Sequence, residues 1–125
     1  MRDVLSGESS LVKMASLNNS LLCIVLPCHN EEENLRVLLP KINRVCRFQA
    51  EYRVVAVDDG STDHTLRLLK LLSKRYPIKI VTHPRRMGFA SALRSGLTAA
   101  LQEITEGLIL TMDADCTHDP VYIPR

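Results

Sequence analysis

Short aliphatic runs alternate along this chain with longer stretches of helical periodicity, and this alternation limits the folds open to it. Four runs rich in Val, Ile and Leu, each closed by Pro, Asp or His, are typical of buried parallel strands. These runs are residues 21–26, 53–57, 78–82 and 108–112. Between them, apolar residues recur every three or four positions, which predicts three amphipathic helices. The helical positions are Leu35, Leu38, Leu39, Ile42 and Val45, then Leu66, Leu69, Leu72 and Tyr76, then Phe89, Leu93, Leu97, Ala100 and Leu101. The order β-α-β-α-β-α-β predicts an α/β fold with a mainly parallel sheet and flanking helices.

The composition is that of one globular domain. Of the 125 residues, 46% are hydrophobic and 24% are charged, which is enough apolar material for a core and argues against disorder. The formal net charge of +2 is too small for a nucleic-acid-binding surface, so we expect no nucleic-acid partner. We expect residues 1–19 to form a flexible N-terminal leader and residues 20–125 to form the α/β domain.

The cysteines and the apolar runs indicate in which cellular compartment the chain works and whether it crosses a membrane. The four cysteines, at positions 23, 28, 46 and 116, form no C-x-x-C pair, which is typical of a reduced, cytoplasmic chain. The longest apolar run, residues 21–26, is far shorter than the roughly 20 residues that span a bilayer. We therefore expect no transmembrane segment in this chain.

Three local features concern the start, the continuity and the packing of the predicted helices. Ser61, Thr62 and Asp63 offer side-chain oxygens that can cap the second helix. Pro40 falls about two turns into the first helix and predicts a kink or a break there. Gly96 lies within the third helix, where glycine is unfavourable by roughly 1 kcal/mol relative to Ala, and this indicates close packing against a neighbour.

Polar loops follow all four predicted strands. In an open parallel sheet, ligands bind beyond the carboxyl ends of the strands, so these loops are the candidate site. They are residues 27–33, 58–63, 83–88 and 113–115, and three of them carry carboxylates. Neither G-x-G-x-x-G nor G-x-x-x-x-G-K-[ST], the two nucleotide fingerprints, occurs. A diphosphate would be repelled by so many carboxylates unless a divalent cation bridged them, and oxygen ligands favour Mg²⁺ or Mn²⁺.

Asp113, Ala114 and Asp115 follow the fourth strand. In extended geometry residues i and i+2 point to the same side, so both carboxylates can address one ion. Ala114 is small enough for a ligand to lie against the backbone. The alternative is a pair of solvated loop aspartates, and the strand-end position together with a second acidic cluster favours the metal.

Asp58 and Asp59 form that second cluster. They can serve a turn and a helix cap, or accept N–H and O–H bonds from a nucleoside, and we expect one of the two to face a ligand. Arg85 and Arg86 are either a solvated pair or a phosphate clamp, because their loop leads to Gly88 and a helix start.

Two other kinds of site are not favoured. His29, His64, His83 and His118 have no shared metal-ligand spacing, which argues against a zinc site. No Ser-His-Asp or Cys-His arrangement can be argued from the sequence, and Cys28 beside His29 is interpreted as incidental.

Four motifs in order make the chain resemble the start of a family 2 glycosyltransferase. They are IVLPCHNEEENL (24–35), VVAVDDGSTDHT (54–65), MGFASALRSG (87–96) and LILTMDADCTHDP (108–120). The last motif is most similar to the N-terminal half of dolichyl- or polyprenyl-phosphate mannosyltransferases, with the glucosyltransferases behind them. The implied fold is the nucleotide-binding half of the glycosyltransferase A-type fold, with a Rossmann-like sheet.

The resemblance also implies roles for individual residues. Asp113 and Asp115 would be catalytic, holding Mg²⁺ or Mn²⁺ and the sugar diphosphate, and Asp58 or Asp59 would contact base or ribose. His29 stands where many relatives have Tyr. The full implied nucleotide-sugar-binding set is Pro27, His29, Glu31, Asp58, Asp59, Arg86, Gly88, Asp113, Ala114 and Asp115.

The implied activity is transfer of a hexose, with inversion, from GDP-mannose or UDP-glucose to a polyprenyl or dolichyl phosphate or another acceptor. Such an enzyme would work at the cytosolic face of a membrane. The match covers residues 22–124 but only about half of a family catalytic domain, so the domain is expected to be truncated at its C-terminus. The alternative is a catalytically incomplete nucleotide-sugar-binding module, whose open sheet invites self-association or a partner chain. A flavodoxin-like binding domain with incidental acid clusters would be indifferent to divalent metal.

Overall fold

A computed structural model describes residues 21–48, 51–115 and 120–123 of the chain; the predicted leader lies outside them. The strands are β1 (Leu21–Cys28), β2 (Glu51–Asp59), β3 (Ile78–His83) and β4 (Gly107–Thr111). The helices are α1 (Glu32–Cys46), α2 (Thr65–Leu72) and α3 (Phe89–Glu103), followed by a 3₁₀ turn at Pro120–Tyr122. Strands and helices alternate as predicted, and the α/β fold class is confirmed.

The four strands form one parallel sheet in the order β3-β2-β1-β4. Leu21 at the start of β1 pairs with Glu51 on one side and with Gly107 on the other, so β1 is central. The chain therefore steps outward from β1 to β3 and then returns to the other side of β1. In sheets of this kind ligands bind where the strand order reverses, which here is between the carboxyl ends of β1 and β4.

Each face of the sheet carries its own hydrophobic core. On one face, alternate residues of β1 and β2 such as Ile24 and Val54 pack with Leu38 of α1 and Leu69 of α2. The other face is thinner, because α3 contributes mainly small residues, and there a Cβ added to Gly96 would lie 2.4 Å from Val25 Cγ1. The predicted close packing of Gly96 is confirmed, and it brings α3 close to β1.

Two details of the helices differ from the prediction. Of the kink or break predicted at Pro40, the break is absent: helix α1 continues through Pro40, and Leu39 and Ile42 beside it are fully buried in the core. Helix α2 ends at Leu72 rather than reaching Tyr76, and the chain continues in turns where the Arg75 and Tyr76 N–H groups both donate to the Leu72 carbonyl oxygen at 2.9 Å. Within the described ranges, no helix is long and apolar enough to span a bilayer.

Candidate functional site

An open cavity of about 280 Å³ lies at the carboxyl ends of β1 and β4, beside the first turn of α3. Its lining residues are Pro27, Cys28, His29, Glu31, Asp59, Arg86, Phe89, Ala92, Asp113, Ala114 and Asp115. All the residues predicted for the site therefore line one cavity, except Asp58 and Gly88, which are adjacent in sequence to lining residues. The cavity combines four carboxylates with one arginine.

Three lining residues were not predicted. Phe89 and Ala92 follow Gly88 and lie one turn apart at the start of α3, so the reasoning that helix starts border the site could have found them. Cys28 is buried, its thiol donates to the Leu26 carbonyl oxygen at 3.3 Å, and burial raises the pKa of that thiol. The interpretation of Cys28 as chemically incidental agrees with this environment, because nucleophilic chemistry needs the thiolate.

Asp59 holds together the loop that carries the two arginines. Its Oδ1 accepts hydrogen bonds from His83 Nδ1 at 2.8 Å and from the Met87 N–H at 2.9 Å. Its Oδ2 accepts the Gly88 N–H at 3.0 Å. Burial opposes ionisation of Asp59, but these hydrogen bonds outweigh it and hold the pKa of the carboxyl below its ordinary value. Asp59 is thus an ionised anchor under the segment 84–88, which we call the arginine loop.

Gly60 lets the arginine loop come down onto the end of β2. A Cβ at Gly60 would lie 2.2 Å from the Arg85 carbonyl carbon and 2.3 Å from the Arg86 nitrogen, and the residue has φ +66°. Both observations require glycine, because a side chain would collide with backbone atoms that cannot rotate away. The turn after β2 and the arginine loop are therefore packed backbone against backbone.

Asp58 points to the opposite face of the sheet from Asp59, as neighbouring residues of a strand do. It is only 4% exposed, and its Oδ1 accepts one long hydrogen bond, from the Ser61 N–H at 3.3 Å. Its other oxygen receives no hydrogen bond from the described part of the chain. Of the two adjacent carboxylates, Asp59 is engaged by the protein and Asp58 retains acceptor capacity.

His29 is oriented by the backbone of β2. Its Nδ1 lies 2.9 Å from the Asp59 carbonyl oxygen, and because a carbonyl only accepts, Nδ1 carries the proton of this bond. The Nε2 atom lies 3.5 Å from the Asn30 side-chain nitrogen. The imidazole is thereby fixed at the rim of the cavity.

Asn30 and Thr65 join the loops after β1 and β2. Asn30 has φ +54°, a conformation that asparagine tolerates, and its side-chain oxygen accepts the N–H groups of Thr62 and Asp63 at 2.8 and 3.3 Å. The buried Thr65 hydroxyl accepts the Glu31 N–H at 2.9 Å. Asp63 accepts the Thr65 N–H at 2.9 Å, but the N-cap residue of helix α2 is His64 and no side chain caps it, so the predicted cap by Ser61, Thr62 or Asp63 is replaced by this contact just before the helix.

Strand β4 ends at Thr111, earlier than predicted, and Asp115 lies in a turn. The extended geometry expected for Asp113 to Asp115 is therefore wrong. The Met112 N–H still bonds to the Val25 carbonyl oxygen at 3.0 Å, and Ala114 is buried. Both carboxylates still line the same cavity, but a turn that begins at the buried Ala114 places them there, and not an extended strand.

No group of three or more His, Cys, Asp or Glu side chains in the described ranges is placed to hold a metal ion. Such a group would be needed for a site made of protein ligands alone. A pair of carboxylates corresponds instead to the way Mg²⁺ is usually bound, by one or two carboxylates with waters and substrate phosphates. The sequence argument against a zinc site also included His118, which lies outside the described residues.

Two proteins named as polyprenyl-phosphate sugar transferases are similar to this chain in sequence. A dolichol-phosphate mannosyltransferase of Pyrococcus furiosus is 33% identical over 102 residues, which cover 82% of this chain and 28% of that protein. An undecaprenyl-phosphate 4-deoxy-4-formamido-L-arabinose transferase of Yersinia enterocolitica is 30% identical over 120 residues, which cover 95% of this chain and 34% of that protein. The chain thus spans about a third of the length of these relatives.

Solved structures share the fold. The mannosyltransferase PcManGT of Pyrobaculum calidifontis, determined with GDP-Man and Mn²⁺, aligns with a TM-score of 0.61 at 26% identity, over 75% of this chain and 27% of that one. S. aureus TarS residues 1–349 align with a TM-score of 0.63 at 25% identity, over 75% of this chain and 27% of that one. The sequence model of glycosyl transferase family 2 matches residues 23–125. This chain therefore belongs to glycosyl transferase family 2, as its four motifs predicted.

Proposed function

We propose that this chain binds the nucleotide-diphosphate sugar of a glycosyltransferase that moves a hexose to a polyprenyl or dolichyl phosphate or another acceptor. The observation that carries the proposal is the cavity in which Asp113 and Asp115 lie with Arg86 and the start of α3. Helix α3 has no acidic residue in its first turn and no side-chain cap, so its N–H groups are suited to an anion. A diphosphate would suit both halves of this site if Asp113 and Asp115 held a divalent cation, which would offset their negative charge.

The nucleoside would lie against the loops after β1 and β2. Asp58 supplies a buried carboxylate oxygen that can accept N–H or O–H groups of a base or ribose. Pro27, His29 and Glu31, at the end of β1 and in the loop after it, line the cavity, with the His29 ring held in place by the β2 backbone. Asp59 takes the positioning role of the adjacent pair, and Asp58 the ligand-binding role.

The sugar diphosphate would lie between the loop after β4 and the start of α3. Asp113 and Asp115 are the residues that would hold Mg²⁺ or Mn²⁺, and Ala114 would present backbone. When bound, the ion would supply Lewis-acid assistance to the departing diphosphate. Arg86 and the Gly88 region would stabilise the remaining negative charge.

A lipid-phosphate acceptor is the substrate class we propose for the whole enzyme. The relatives named above act on dolichol phosphate or undecaprenyl phosphate by their names. An acceptor phosphate is already an anion, so its attack on the sugar requires little help from a general base. Work at the cytosolic face of a membrane agrees with the free thiols at Cys23, Cys28 and Cys46.

The second candidate is a nucleotide-sugar-binding module that completes a site only with further chain or a partner. What favours it is that the lining residues to which we give a ligand-binding role are all assigned to the donor, and none to the acceptor. Turnover separates the two: product formed from a donor and a short-chain polyprenyl phosphate by the purified chain would exclude the second candidate.

Calorimetric titration of the purified chain with GDP-mannose and with UDP-glucose, each with Mn²⁺ and with chelator, tests the donor site. We expect binding of one donor, dependent on Mn²⁺. Equal binding with chelator would exclude the metal, and no binding by the folded chain would exclude the donor site within these residues. The Glu51→Gln variant is a matched control, because that exposed carboxylate lies at the opposite end of the sheet.

A further inference from the structure

We propose that His83 is a positioning residue that holds the arginine loop in its donor-binding shape, acting through Asp59. The inference rests on the proposed function for its consequence on donor binding, and on geometry alone for its effect on the loop. The sequence placed His83 in the candidate loop 83–88 and argued against it as a zinc ligand, and the cavity does not include it.

His83 joins three elements at one point. Its Nδ1 is 2.8 Å from Asp59 Oδ1 at the end of β2, and its Nε2 is 2.9 Å from Ser95 Oγ on α3. The side chains of His83 and Asp59 are 9% and 5% exposed, so both hydrogen bonds are shielded from water. A carboxylate only accepts, so Nδ1 donates, whereas the Ser95 hydroxyl can donate to or accept from Nε2.

Asp59 depends on this imidazole. Among the described residues, His83 is the one side chain that bonds to the carboxylate; its other partners are the N–H groups of Met87 and Gly88. A buried carboxylate needs its full set of donors, since each missing one leaves a desolvated charge without compensation. Removal of the imidazole would therefore weaken the hold of the Asp59 carboxylate on the Met87 and Gly88 N–H groups, which fixes the C-terminal end of the arginine loop.

The order Asp59, His83, Ser95 also resembles the order of a nucleophilic triad. Ser95 does not line the cavity, whereas Arg86, two residues before Gly88, does. The three groups consequently act on the loop and not on a substrate carbonyl. The three groups would affect donor binding through Arg86, which the loop places at the cavity.

Three variants separate the two hydrogen bonds of His83. His83→Leu removes both, His83→Asn keeps an N–H close to the position of Nδ1, and Ser95→Ala removes only the contact to α3. We expect amide hydrogen exchange at Met87 and Gly88 to accelerate at least tenfold in His83→Leu and to stay near wild type in the other two. The donor Kd, measured in Mn²⁺, should rise at least tenfold in His83→Leu and be restored in His83→Asn.

Leu69→Ala is the control for a general loss of stability, because Leu69 is fully buried on the other face of the sheet. It should lower the melting temperature without changing the Met87 and Gly88 exchange relative to neighbouring amides. Unchanged exchange in His83→Leu would overturn the proposal, as would faster exchange with an unchanged Kd. If His83→Leu fails to fold, the proposal requires His83→Gln to show the same loosening, because its longer amide does not reproduce the Nδ1 position. If the wild-type chain binds no donor, the proposed function fails, and the exchange data still decide whether His83 holds the loop.

Discussion

Gly60 and Arg85 are in contact through their backbones: a Cβ on Gly60 would lie 2.2 Å from the Arg85 carbonyl carbon. The arginine loop rests on the turn after β2 with no side chain between them. The two hydrogen bonds from its far end to Asp59 hold it there. The position of Arg86 at the cavity is thus set by one glycine and one buried carboxylate.

Gly60→Ala should destabilise the protein by about 2 kcal/mol or more, because the new methyl group meets backbone atoms and φ is +66°. It should also weaken donor binding, because the arginine loop would have to move away from the end of β2 and would shift Arg86 at the cavity. Gly88→Ala shows the effect of backbone strain without a clash, because φ there is +101° and nothing lies within 4 Å of the added Cβ. Urea denaturation gives the free energies of unfolding, and a loss in Gly60→Ala of less than about 1 kcal/mol would contradict the close approach.

The carboxylate of Asp59 should make stability fall in acid. Because the pKa of Asp59 is lower in the folded than in the unfolded chain, its contribution is fully present above the unfolded value of about 3.9 and is lost as the pH falls through the folded value. Asp59→Asn should be less stable at pH 7, and its stability should change less between pH 5 and pH 2. Urea titrations across this range, with Glu51→Gln as the exposed control, measure the difference; parallel curves for wild type and Asp59→Asn would show that the hydrogen bonds do not favour the anion.

The hydrogen bonds between Asp63 and Thr65 should contribute to stability without affecting the donor site. Burial opposes ionisation of Asp63, but hydrogen bonds from the Thr65 hydroxyl and N–H outweigh it and lower the pKa of the carboxyl. Asp63→Ala should lower the free energy of unfolding by about 1 kcal/mol, and Asp63→Ser, which keeps an acceptor, should lose less. Thermal unfolding checks the ranking, and donor affinity should be the same in both variants.

Much of this arrangement was predictable, because strong local patterns agree with the fold. The aliphatic runs predicted every strand, and the loops after Leu26 and Met112 predicted the walls of the cavity. It was not predictable which of Asp58 and Asp59 the protein's own hydrogen bonds would engage, since this depends on which face of β2 receives α3. The hydrogen bonds of His83 were not predictable for the same reason: its partners Asp59 and Ser95 come from other elements and meet it only in the folded sheet.

The carboxylate of Asp115 should be needed for metal-dependent donor binding and dispensable for the fold. Asp115 is exposed in a turn at the cavity, so Asp115→Asn removes a negative charge and a hard oxygen ligand while keeping the size of the side chain. In Mn²⁺ the donor Kd should rise at least tenfold, and the melting temperature should stay within a degree or two of wild type. Glu106→Gln, an exposed carboxylate before β4 at the other end of the strand, should change neither quantity. An Asp115→Asn chain that binds the donor as tightly in Mn²⁺ as wild type would remove Asp115 from the metal site and leave the diphosphate to Arg86 and the start of α3.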